Sequence, residues 1–70
     1  MPHHRRPNAS LSPDEIVSLR RVASCMGGLV SDQHRALLLD MGLVAFDEQL
    51  GRLVATAAGR RRLEDERPMQ

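Results

Sequence analysis

The sequence has no lysine, no tryptophan and no tyrosine, and it has one phenylalanine, Phe46, and one cysteine, Cys25. With a single aromatic ring, a folded interior has to be assembled from Leu, Val, Met and Ala, which points to a small, aliphatic, mainly helical core. A lone cysteine excludes an internal disulfide and suits a reducing cytosol. No apolar run approaches the length of a secretory h-region or a membrane span, so the expectation is a soluble, cytoplasmic protein with no membrane partner. The absence of lysine leaves arginine as every one of the ten cations, a bias that follows from a GC-rich genome as readily as from a need for bidentate phosphate contacts.

Seventy residues allow one domain. A chain this short buries only about 60% of its unfolded surface, so its stability margin is thin and oligomerisation is a natural remedy. The formal net charge is +1, but its distribution is uneven: +2 over residues 1–12, 0 over 13–30, −3 over 31–51, +4 over 52–63 and −2 over 64–70. An anion-binding surface would have to draw on the two positive segments.

The residues needed for catalysis do not converge in the pattern. Cys25 and His34 could form a nucleophile and base, but no orienting third group or oxyanion donor accompanies them. His34 lies on an apolar stripe, as boundary histidines commonly do. The pairs Asp14 with Glu15 and Asp47 with Glu48, and the run Glu64, Asp65, Glu66, read as helix-end, turn and solvated-face charges. His3 and His4 are too few for a metal site, and Gly27 with Gly28 lacks the Lys and Ser or Thr of a phosphate-cradling loop. A non-enzymatic chain without metal or other cofactor is expected.

Local signals for structure are stronger. Residues 1–11, with two Pro, two His and two Arg near the start, read as a disordered basic arm. In "LSPDEI" Ser12 caps a helix, Pro13 takes its first position, Glu15 closes a capping box and Leu11 with Ile16 forms a hydrophobic staple. Ile16, Leu19, Val22, Ala23 and Met26 then make a buried stripe with Arg20 and Arg21 outward, and Gly27 and Gly28 end the helix. A second helix over 32–41 has Ser31 as its cap, an inward stripe of His34, Leu37, Leu38 and Met41, and Gly42 as its left-handed stop, which brings Leu43 back onto Leu38. Strands over 43–46 and 52–55 form a hairpin in which Gly51 supplies a positive φ. Thr56 caps a last helix that carries Arg60, Arg61, Arg62 and Leu63 and ends near Pro68.

This order, helix, helix, hairpin, helix, together with the phrase "LLLDMGLVAFDEQLGRLVATAAGRRRL", resembles the winged helix-turn-helix family. There a Leu-Gly-Leu-Val-like phrase, here Met41, Gly42, Leu43, Val44, runs from a helix into a hairpin. A Thr-x-x-Gly-Arg phrase, here Thr56, Gly59 and Arg60, opens the closing helix. The likeness covers about residues 13–66 and implies a mainly α fold with a β-hairpin, winged-helix-like, in a single domain over 12–67. It also implies that the second helix stands in the recognition position, with Gln33, Arg35 and Ala36 outward, and that residues 46–52 are the wing. The chain departs from the pattern before Ser31. Only Leu29 and Val30 follow Gly28, which leaves no room for the short helix that DNA-reading members place there.

Two functions follow as expectations. One is a small DNA-associated transcriptional regulator, acting as a homodimer on double-stranded DNA through Gln33, Arg35, Arg52, Arg60, Arg61 and Arg62. The other is a protein-interaction or assembly module on the same scaffold, which uses Leu39 and Leu50 against a protein partner. Asp32 and Asp40 on the second helix, and Asp47 and Glu48 at the hairpin tip, weigh against phosphate binding. Leu50 in a turn, where a monomer gains nothing from it, weighs towards a partner.

Overall fold

The computed structural model describes residues 10–66. Its elements run α1 (Pro13–Ala23), a 3₁₀ turn (Gly27–Leu29), α2 (Asp32–Asp40), β1 (Val44–Asp47), β2 (Arg52–Ala55) and α3 (Ala57–Asp65). The fold is therefore mainly helical with one two-stranded antiparallel hairpin. Residues 1–9 of the expected arm and the approach to Pro68 lie outside the described residues, while Leu11, expected as the last residue of the arm, is half-buried against the core.

The start of α1 forms as the sequence predicts. Glu15 N donates to Ser12 Oγ at 3.2 Å and Ser12 N donates to Glu15 Oε1 at 2.8 Å, so the capping box is closed in both directions. Ile16, Leu19 and Val22 face inward. The end of the helix differs from expectation. It stops at Ala23, short of the two glycines, because Cys25 takes the left-handed conformation at φ 64°. Met26 N donates to Arg21 O at 2.7 Å and Cys25 N to Val22 O at 3.1 Å, the paired bonds of a Schellman ending. Ala23 and Met26, expected on the buried stripe, are both exposed. The early stop frees the chain that follows, and Gly27–Leu29 winds into a single 3₁₀ turn where no room for a helix was expected.

α2 begins on Ser31, whose Oγ accepts from His34 N, and ends with Gly42 at φ 73°. Leu43 N donates to Leu38 O and Gly42 N to Leu39 O, at 3.0 and 3.1 Å. Leu38 and Leu43 are both fully buried, as the expected contact requires. Since Leu43 belongs to this helix ending, β1 starts one residue later than expected and carries Asp47 as its last residue.

The hairpin pairs Val44 with Ala55, Ala45 with Val54, Phe46 with Leu53 and Asp47 with Arg52. Four residues, 48–51, close it, with Gly51 at φ 69°. The Asp47 carboxylate does structural work: Oδ1 accepts from the backbone N of Gln49 at 2.9 Å and of Leu50 at 3.0 Å. This side-chain turn satisfies donors that the loop would otherwise leave to water.

α3 is locked onto the α2–β1 junction. Thr56 Oγ1 accepts from Gly59 N at 3.1 Å and donates to Gly42 O at 2.8 Å, while Thr56 N donates to Leu43 O at 3.0 Å. Gly59 is required for close approach, since a Cβ there would collide with the Leu43 carbonyl oxygen and come within 3.4 Å of Leu19 Cδ1. The core gathered around this junction consists of Leu19, Val22, Val30, Leu38, Met41, Leu43 and Val44, ringed by Leu11, Leu37, Leu53 and Leu63. It is wholly aliphatic, as the composition requires.

Candidate functional site

Phe46 and Val44 are two residues apart on β1 and so project from the same face of the hairpin. Val44 is 3% exposed and Phe46 59% exposed, because the core ends between them. Beyond that edge the hairpin stands over the side of α2, and the two elements enclose a groove of about 370 Å³. Its lining comprises Arg35 and Leu39 from α2, Phe46, Arg52 and Leu53 from the hairpin, and Cys25, Gly27 and Gly28 from the α1–α2 connection. Arg35 and Leu39 are four residues apart, one helical turn, which is why they share a face.

The electrostatics of the groove are mixed. Arg35 is ion-paired with Asp32 at 3.3 Å, so part of its charge is already neutralised within α2. Arg52 lies opposite Asp47 in the hairpin register, and the Asp47 carboxylate is engaged by the turn. The lining thus combines the apolar residues Leu39, Phe46 and Leu53 with two arginines. Over the described residues seven arginines stand against nine carboxylates, a formal charge of −2, so the arginines outside the described residues are what make the whole chain positive.

A second hollow of about 280 Å³ lies on another part of α1 and α2, lined by Asp14, Val17, Ser18, Arg21, Leu29, Ser31 and His34. Within it Ser18 Oγ and His34 Nδ1 are 2.7 Å apart, and Ser18 is buried. His34 thus satisfies a buried hydroxyl in the α1–α2 contact. Cys25 and His34 line different hollows. Among the described residues, no group of three or more His, Cys, Asp or Glu converges to hold a metal ion, and no helix is long and apolar enough to cross a membrane. His3 and His4 lie outside the described residues.

The structure sorts the residues singled out from the sequence into separate places. Arg35, Leu39 and Arg52 come together in the groove. Gln33 is exposed on α2, and Leu50 is 54% exposed at the hairpin tip. Arg60 and Arg61 are exposed on α3 and Arg62 is half-buried there, away from the groove lining. Phe46 and Leu53 were not among the sequence candidates for a site. The signal that could have found Phe46 was its position: the sole aromatic sits at the distal end of a short strand, just before an acidic turn.

No protein-family model, curated protein or solved structure matches this chain. The functional reading therefore rests on the groove and its chemistry.

Proposed function

We propose that this chain is a protein-interaction or assembly module built on a winged-helix-like scaffold, with the groove between α2 and the hairpin as its docking surface. The observation that carries the reading is the placement of Phe46. A domain with one aromatic ring leaves that ring 59% exposed beside Leu39, which is 43% exposed, and builds its core without it. Aromatic residues beside exposed aliphatic ones are the usual anchors of protein interfaces, and a large apolar side chain left in water contributes nothing to a monomer.

A second reading, a DNA-associated regulator, is supported by the presence of Arg35 and Arg52 in the lining of one groove. Non-specific DNA affinity comes from neutralising phosphates. The Asp32 partner of Arg35 and the net −2 of the described residues lower what this face can supply. Arg60, Arg61 and Arg62 would have to act from another surface.

Two measurements separate the readings. With Leu39→Asp or Phe46→Asp, chemical cross-linking of the tagged chain to its cellular partner should fall at least tenfold while the circular dichroism spectrum is retained; undiminished capture would overturn the docking surface. A duplex DNA titration at low salt should show no saturable binding. Binding with a log–log salt slope near about −0.9 per neutralised phosphate, lost in Arg35→Ala and Arg52→Ala, would replace this reading with the DNA-associated one.

A further inference from the structure

Resting on the docking reading above, we propose that the occupant of the groove is the hairpin tip of a second copy of this chain, in a reciprocal two-fold exchange. The tip offers what the groove lacks. Leu50 in the loop is 54% exposed, and Glu48, two residues earlier, is exposed as well. The Asp47 turn and the left-handed Gly51 hold this loop in one conformation, so little ordering entropy is lost when it docks. The groove is lined by Leu39, Phe46 and Leu53, and Arg35 and Arg52 also contribute to its lining. A carboxylate and, two residues on, a leucine at the tip are therefore matched in kind by a lining that combines apolar side chains with two arginines.

The two parts also lie on the same hairpin, with Phe46 and Arg52 at the base of the loop that carries Glu48 and Leu50. When one tip enters the partner's groove, the two-fold axis carries the partner's tip into the first groove. The interface is then isologous and closes at two copies. It also covers the exposed aromatic, and it adds buried apolar surface to a domain of a size that has little of its own.

The charge pattern provides a test that a non-specific apolar contact would not pass. The full chain, measured by sedimentation velocity and light scattering from micromolar to millimolar concentration, should move from its 7.8 kDa monomer mass to twice that mass. Leu50→Asp, in an exposed turn, should raise the dimer dissociation constant at least tenfold with an unchanged circular dichroism spectrum; Leu50→Ser provides the same reading if the aspartate disturbs the loop. Glu48→Arg chains should be monomeric alone, as should chains carrying Arg35→Glu with Arg52→Glu. An equimolar mixture of the two should dimerise, because each tip then meets a groove of opposite charge. A wild-type chain that stays monomeric to millimolar concentration overturns the proposal, as does a dimer indifferent to Leu50→Asp or a mixture that stays monomeric. In any of these cases, cross-linking to a different protein that is lost in Leu39→Asp would still leave the docking surface standing, with another occupant. Loss of both would remove the docking surface as well.

Discussion

Helices α1 and α2 end in the same backbone motif, and the two endings differ in what is built on them. After α2 the left-handed position is Gly42, and the next residue, Leu43, is fully buried and serves as the anchor of the fold. Thr56 bonds to the carbonyls of both Gly42 and Leu43, and Gly59 lies against the Leu43 carbonyl. After α1 the left-handed position is Cys25, and the residue that follows, Met26, is 48% exposed. The comparison shows that a helix stop is a local backbone event, whereas its structural weight depends on whether the next residue enters the core. One ending assembles the domain. The other shapes a connection that lines the groove.

Substitutions can break or sharpen this contrast. The largest effect should come from Gly59→Ala, where the added methyl collides with the Leu43 backbone and α3 must move off the core. Forced overpacking costs about 1–3 kcal/mol and more where backbone must shift, so a loss of at least about 3 kcal/mol is expected in urea unfolding. A loss under about 1 kcal/mol would show that the seam is loose.

Thr56→Ala comes next. It removes a helix cap, worth about 1–2 kcal/mol, together with the bond to Gly42 O. Thr56→Ser should recover most of the loss, because the hydroxyl does the work at both contacts. Gly42→Ala places a Cβ at φ 73° with open space around it, so its cost is conformational alone, about 1–2 kcal/mol.

The smallest effect should have the opposite sign. Cys25 already bears the strain of φ 64°, and Cys25→Gly relieves it at some cost in unfolded-chain entropy. A net stabilisation of about 0.5 kcal/mol is expected by thermal melting. If Cys25→Gly destabilises the chain as much as Gly42→Ala does, the two endings are not equivalent in the way proposed.

These positions also mark what was legible in the residues. Ser12 with Glu15, Ser31, Gly42, Gly51 and Thr56 announced five helix or turn boundaries, because each satisfies backbone donors or dihedral demands within a few residues of itself. The stop of α1 was misplaced because Cys25, not Gly27, adopts the left-handed conformation, and nothing in a cysteine's chemistry marks it for that role. The 3₁₀ turn was missed for the same reason, since it occupies the residues that the early stop released. Asp47 reads from the sequence as a turn charge, but not as the group whose carboxylate holds the loop, a role that depends on β1 reaching one residue further than its apolar run suggested.

The candidate site divides in the same way. Arg35 and Leu39 share a face by helical spacing alone, and Leu50 stood out by its place in a turn. That Arg52 joins Arg35 and Leu39 in one groove, while Arg60, Arg61 and Arg62 do not, follows from the packing of the hairpin against α2 and of α3 elsewhere.

By itself the amino-acid order determined the three α-helices and the hairpin, the starts of those helices, the glycine-terminated end of α2 and the aliphatic nature of the core, because capping, positive φ and hydrophobic period are local properties of the chain. Only the tertiary structure decided which apolar residues stay outside. Phe46 and Val44 share a strand face and differ only by where the neighbouring helices end, and that boundary is set by the approach of α3 and α2 to the Leu43 backbone. The exposure of the single aromatic ring, and with it the groove, is a consequence of non-local packing that no window of sequence contains.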